Sequence, residues 1–143
     1  MRVLVVHGPN LNLLGEREPV IYGTQTLAEI NDAIAAGAKD LGLDVRCEQH
    51  NSEGAIIDAL HAARGTYDGV VINPGAYAHY SYAIADAIAA IGLPVIEVHL
   101  SNVAAREAFR RTSVTAGACR GVVSGLHAAG YVLALRALSE LPS

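Results

Sequence analysis

Gly69-Val70-Val71-Ile72-Asn73-Pro74-Gly75 is an unbroken apolar run that stops at an amide and a Pro-Gly turn. It is too short for a buried helix and lacks the alternation of a half-exposed strand, so it predicts a strand covered on both faces. Runs of the same kind stand at Val3 to Val6 and Pro94 to Val98, with weaker ones at Leu43 to Cys47 and Gly121 to Val123. Between them apolar residues recur at helical spacing. These are Leu27, Ile30, Ile34, Ala38, Leu41; Ile56, Ile57, Leu60, Ala63; Ile84, Ile88, Ile91; and Leu126, Leu133, Ala137, Leu141. Thr26 and Glu29 have the spacing of a capping box, and Gly42, Gly65 and Gly92 each follow the last periodic residue of one of the first three helices.

Alternation of strand and helix implies right-handed crossovers, and hence a parallel sheet. The expected class is α/β: a flavodoxin-like, doubly wound five-stranded parallel sheet of order 2-1-3-4-5 with helices on both faces, residues 1–143 forming a single domain. Sheets of this kind bind ligands beyond the carboxyl ends of their strands, where the strand order reverses. That directs attention to the loops after His7, Ile72 and Val98.

Composition narrows the classes. Apolar residues make up 52% of the chain and charged ones 17%, the balance of a packed globule rather than a disordered segment. A net charge of -4 disfavours nucleic acid and anionic membrane surfaces as partners. Lys39 is the one lysine, so arginines supply nearly all positive charge and suit carboxylate recognition through a planar fork. Cys47 and Cys119 have neither metal spacing nor a disulfide framework and are expected to be small core residues in a reducing cytoplasm. The initial run Met1 to His7 is too short for a signal peptide, and Arg136 and Glu140 interrupt the apolar stretch near the C-terminus, so no membrane anchor is expected.

The segment from Gly8 to Gln25 is long for a strand-to-helix loop and reads as an active-site lid. It contains neither the Gly-Lys-Ser/Thr ending of a phosphate loop nor the spacing of a dinucleotide fingerprint, so no nucleotide cofactor is expected. Arg17 and Tyr22 lie between Gly15 and Gly23. One reading is an exposed arginine and a tyrosine packed on the body. The other is a base: a guanidinium about 4 Å from a phenolate stabilises it by up to about 4 kcal/mol at an effective dielectric of ~20.

Asn73 ends the third run and is sited to bind hydroxyls, or simply to satisfy the turn backbone. His79 is expected in the first turn of the next helix. Glu97 and His99 share a strand face, so the carboxylate can orient the ring and favour its cation, which is a general-acid arrangement. A satisfied structural pair is the other possibility. Arg106 and Arg110, four apart, are expected on one helical face, one clamping a carboxylate or diol and the other in a surface ion pair. The six histidines form no metal-binding run, and Val122-Val123-Ser124-Gly125 does not match a nucleophile elbow. The inventory is one of acids and bases.

Four stretches occur together and in order: Gly8-Pro9-Asn10-Leu11-Asn12-Leu13-Leu14-Gly15-Glu16-Arg17-Glu18-Pro19 with Tyr22-Gly23; Asn51-Ser52-Glu53-Gly54; Ile72-Asn73-Pro74-Gly75-Ala76-Tyr77 with His79, Ser81 and Asp86-Ala87; and Glu97-Val98-His99-Leu100-Ser101-Asn102 with Arg106-Glu107 and Phe109-Arg110. On these residues the chain closely resembles the type II 3-dehydroquinate dehydratases, from the first strand to the last helix. The resemblance implies a single catalytic domain that eliminates water from 3-dehydroquinate to give 3-dehydroshikimate, a shikimate-pathway step of aromatic amino acid biosynthesis. It also implies chemistry free of cofactor and metal, and a dodecamer built as a tetramer of trimers.

The same resemblance assigns roles. Tyr22 is implied as the base, Arg17 as the residue that favours its ionised form, and Asn10 as the holder of a water on the enolate. His99, oriented by Glu97, is implied as the acid. Asn73, His79, Asp86, the backbone at Leu100 and Ser101, and Arg110 are implied to position the substrate. Asp86 falls opposite the Ile84, Ile88, Ile91 stripe, which points it away from its own core, the place of a solvated surface charge; the substrate-site role that the resemblance implies for it is met if it reaches across a trimer interface into a neighbour's site. One departure stands in Gly125-Leu126-His127-Ala128-Ala129-Gly130-Tyr131, where the family usually has glycine in place of His127; the expected effect is on local packing or assembly. Two rivals differ in class. A phosphoacceptor signalling module needs acidic residues where His7 and Asn73 stand, and a non-catalytic sugar-acid binder has no use for a Tyr-Arg lid and a Glu-supported histidine.

Overall fold

The side chains of Val3 to Val6 and Val70 to Ile72 are fully buried, because the strands that carry them lie inside the sheet with a helical layer on either side. The computed structural model describes residues 1–142, and Ser143, the last residue of the expected domain, lies outside the described residues. Five strands, β1 (Arg2–His7), β2 (Asp44–Gln49), β3 (Gly69–Asn73), β4 (Val95–His99) and β5 (Gly121–Ser124), pair in parallel in the order β2-β1-β3-β4-β5. This is the flavodoxin-like order expected from the sequence.

The helices are the single turn α1 (Pro19–Tyr22), then α2 (Leu27–Asp40), α3 (Glu53–Ala63), α4 (Tyr82–Ile91) and α5 (Ala129–Glu140). α2 begins at the expected capping box, in which Thr26 Oγ1 accepts the Glu29 N–H at 3.2 Å and the Glu29 carboxylate accepts the Thr26 N–H at 3.2 Å. Ser52 and Ser81 cap α3 and α4 through their hydroxyls. Alternation along the strands divides the core. Val3, Val5, Val71, Ile96 and Val98 pack against α2 and α5, whereas Leu4, Val6, Val70, Ile72 and Val95 pack against α3 and α4. Each such aliphatic side chain contributes roughly 1.5–3 kcal/mol by leaving water. Among the described residues no helix is long and apolar enough to cross a membrane.

Two expectations are corrected. β2 and β5 are not buried on both faces: Arg46 is exposed and Val122 is 47% exposed, because both strands are edges of the sheet. The buried face of α5 is Tyr131, Ala134, Leu135 and Leu138, not the Leu126, Leu133, Ala137, Leu141 stripe. Leu126 precedes the helix, and Leu126 and Leu133 are each about half exposed. Tyr131 sets the face, because its hydroxyl belongs to a buried polar network and fixes the rotation of the helix around it.

Candidate active site

The carboxyl ends of β1, β3 and β4 open into one pocket, whose wall includes Asn10, Asn73, Gly75, His79, His99, Leu100 and Ser101. Its floor depends on a close approach of two segments of the chain. Gly8 donates its N–H to the Asn73 carbonyl at 2.8 Å, and a Cβ on Gly8 would fall 2.7 Å from that oxygen, so only glycine fits. Asn10 then takes a left-handed backbone (φ 68°), a conformation asparagine tolerates, and its N–H donates to Asn51 Oδ1 at 3.0 Å. Asn51 also accepts from Gln49 at 3.0 Å and, through its carbonyl, from the Tyr77 hydroxyl at 2.8 Å. The Asn51-Ser52-Glu53 stretch is thereby a frame for the pocket rather than part of its wall.

Asn73 satisfies the turn backbone and also lines the pocket. Its Oδ1 accepts the Gly75 N–H at 3.1 Å, which shapes the turn, while its Nδ2 donates to the Tyr131 hydroxyl at 3.1 Å and keeps a second hydrogen. Tyr131 in turn meets His7 Nδ1 at 3.0 Å, and His7 Nε2 meets Asn31 Oδ1 at 2.8 Å. A consistent set of donors follows: Asn73 to Tyr131, Tyr131 to His7 Nδ1, His7 Nε2–H to Asn31. Burial, offset in part by the Asn31 bond, lowers His7 from 6.5 to about 4, and burial pushes the Tyr131 phenol up. The network is therefore neutral and holds the Asn73 amide from beneath.

Glu97 and His99 lie together as the strand alternation requires, with His99 Nε2 donating to Glu97 Oε2 at 2.8 Å. Glu97 is fully buried. Burial pushes its carboxyl up, but hydrogen bonds from His99, Thr115 and Ser113, with the charge of His99, outweigh burial and leave it below the usual carboxylate range. Ser113 donates to Oε2 at 3.0 Å and Thr115 to Oε1. A buried carboxylate so satisfied stays ionised and fixes the orientation of the His99 ring. Since Nε2 faces Glu97, Nδ1 is the nitrogen available to the pocket. The His79 ring lies nearly parallel to that of His99, 6.4 Å away, and its Nδ1–H donates to the Thr112 carbonyl at 2.9 Å.

The segment from Gly8 to Gln25, expected to be a lid, is not a bare loop but carries a 3₁₀ turn at Leu11–Leu13 and the single turn α1. Tyr22 ends α1 at the pocket, where Arg17 Nη2 donates to its hydroxyl at 3.1 Å and Arg106 Nη1 at 2.7 Å. Both guanidiniums also lie over the ring, at 4.3 and 4.9 Å from its centre. The Arg106 contact was not expected. Arg106 follows the 3₁₀ turn Val103–Ala105 and Arg110 sits within another, Ala108–Arg111, so the two do not share the helical face predicted from their spacing. Arg110 reaches the pocket wall while paired with Glu107.

The remaining candidates separate. Leu100 and Ser101 line the pocket, with Ser101 Oγ accepting from Arg106 at 3.3 Å. His79 lines it too, but from the end of the 3₁₀ turn Gly75–His79 rather than from the first turn of α4, because Ser81 caps α4 two residues later. Asp86 is exposed on α4 and does not line this pocket. His127, expected to bear only on packing or assembly, places its ring against the end of α1, with Nδ1 3.3 Å from the Tyr22 carbonyl. Ser113, Thr115 and Tyr131 were not foreseen.

Residues 1–139 match the family described as Dehydroquinase class II. The chain belongs to that family. It is 57% identical over 143 residues to the 3-dehydroquinate dehydratase of Desulforudis audaxviator, covering 100% of this chain and 95% of the relative. To the 3-dehydroquinate dehydratase of Pelotomaculum thermopropionicum it is 55% identical over 141 residues, with 99% and 98% covered. Among solved structures, the type II dehydroquinase from Butyrivibrio crossotus superposes with a TM-score of 0.96 at 47% identity, covering 98% of both chains.

Proposed function

We propose that the chain converts 3-dehydroquinate to 3-dehydroshikimate by a cofactor-free elimination, with Tyr22 as base and His99 as acid. Membership of the dehydroquinase class II family supports the reaction. One observation carries the assignment of the base: two guanidiniums, from Arg17 and Arg106, donate to a single tyrosine oxygen at the pocket. Donors of that kind stabilise a phenolate more than a phenol.

In the first step the Tyr22 phenolate takes the proton from the carbon beside the ketone, and the C–H electron pair moves to the carbonyl oxygen, forming an enolate. A water held by Asn10 hydrogen-bonds that oxygen. The enolate then reforms the carbonyl, its electrons make the carbon–carbon double bond, and the hydroxyl one carbon further leaves. His99 gives that hydroxyl a proton from Nδ1 while Nε2–H stays on Glu97, so the fragment departs as water. Asn73 through its second amide hydrogen, His79, the backbone at Leu100 and Ser101, Arg110 and Asp86 position the substrate's hydroxyls and carboxylate.

Residues 1–143 act as one catalytic domain in the cytoplasm, and the active unit is a trimer within a dodecamer. The exposure of Asp86, with Tyr80 and Tyr82 exposed nearby at 59% and 72%, supports a neighbouring copy at that face. The test of the base is Tyr22→Phe. Formation of the conjugated enone from 3-dehydroquinate should fall below about a tenth of the wild-type rate, a loss above ~1.4 kcal/mol, while ligand binding is retained. A higher residual rate removes Tyr22 from the role.

A further inference from the structure

His127 holds a backbone angle that costs a residue with a side chain free energy, φ 50°, and among the described residues it is one of three non-glycine residues with positive φ. Its backbone is tied on both sides: the His127 N–H donates to the Leu100 carbonyl at 3.0 Å and its own carbonyl accepts the Gly130 N–H at 3.1 Å. The turn after β5 is thereby fastened to the end of β4, the stretch that builds one wall of the pocket. From this anchored position the ring spans to the lid. Nδ1 lies 3.3 Å from the Tyr22 carbonyl, and a Cβ on Gly23 would lie 3.4 Å from the same nitrogen. Since a carbonyl can only accept, Nδ1 carries the hydrogen.

We propose that His127 is a positioning residue for Tyr22, holding the C-terminal end of the lid on the anchored turn after β5. The catalytic half of this statement rests on Tyr22 being the base. The ring does not line the pocket. Losing it therefore lowers turnover by loosening the base, and leaves the affinity for substrate nearly unchanged.

A graded set of substitutions tests this without disturbing the fold. His127→Gly removes the donor and relieves the positive φ. His127→Asn keeps a donor, Nδ2, the same number of bonds from the backbone as Nδ1, on a residue that tolerates this conformation. His127→Asp has the same shape with an acceptor instead. Two readouts are taken on all four proteins: amide hydrogen exchange of residues 16–23 without ligand, and kcat and KM for 3-dehydroquinate. Exchange should speed up in the Gly and Asp variants and return toward wild type in Asn. kcat should fall about three- to tenfold in Gly and Asp, the scale of one lost hydrogen bond, with KM nearly constant and Asn largely restored. A merely structural role predicts the reverse for Gly, whose backbone is the better suited. Equal exchange in all four proteins overturns the holding role. Faster exchange with unchanged kcat overturns its catalytic consequence. If wild-type protein fails to dehydrate 3-dehydroquinate, the proposed reaction is at fault, and the exchange series still decides whether His127 holds the lid.

Discussion

His7 sits beneath the pocket as a neutral imidazole, and this makes stability depend on pH in a window set by that residue. Its folded value, about 4, lies below the ordinary 6.5, so the unfolded chain binds the proton first as pH falls. The contribution is fully present above 6.5 and is lost as pH drops toward 4, amounting to about 3 kcal/mol. Urea unfolding of wild type and His7→Gln should show wild type more stable at neutral pH, with the gap narrowing by that much at pH 4. Parallel curves would remove His7 as the source. Glu97, whose carboxyl lies below its usual range, loses its contribution as pH falls through the ordinary 4.5 toward its folded value, in both proteins alike, so it cancels from the gap between them. At this scale the sequence was readable where chemistry and local spacing coincide. Glu97 and His99 are two apart on a strand, so alternation alone puts them on one face. Arg106 meets Tyr22 across 84 residues of chain, and Ser113 and Thr115 reach Glu97 from an irregular segment, so no local periodicity carries those contacts.

Among the elements, the inner strands and the caps were legible because each rests on a few adjacent residues: a short apolar run, a Thr and a Glu three apart, a glycine after a helix. α5 was not, because its apolar residues occupy more than one stripe and the choice between them is made by a tertiary bond. The Tyr131 hydroxyl enters the network with His7 and Asn73, and that selects the Leu135 and Leu138 side for the core. Substitution separates the two stripes. Leu135→Ala should lower unfolding free energy by about 2–5 kcal/mol, as for a filled core position. Leu133→Ala, about half exposed, should stay within about 0.5 kcal/mol. Equal losses in denaturant titration would mean that the helix is rotated from the face described.

On the scale of the whole molecule, one expected substrate-site residue stands apart from the others. α4 turns Ile84, Ile88 and Ile91 into the core and leaves Asp86 in solvent, away from its own pocket. If Asp86 serves a neighbour's site, mixing Asp86→Ala subunits with Tyr22→Phe subunits, each inactive alone, should restore activity at sites that pair an intact Tyr22 with an intact Asp86. Verified mixed oligomers without activity would rule out the contribution in trans. The division of the core into two layers has a separate consequence, for the two thiols. Cys47 packs on the layer of α2 and α5, Cys119 on that of α3 and α4, and burial pushes them up to about 11 and about 12. At neutral pH no more than about one in ten thousand of either is a thiolate, the form that alkylating reagents consume. Each cysteine, partly buried, thus reacts slowly while its own layer is closed and faster once that layer opens, so the chain carries a built-in chemical clock on either side of the sheet, and the order in which the two clocks speed up tells whether the halves of the core come apart together or in turn.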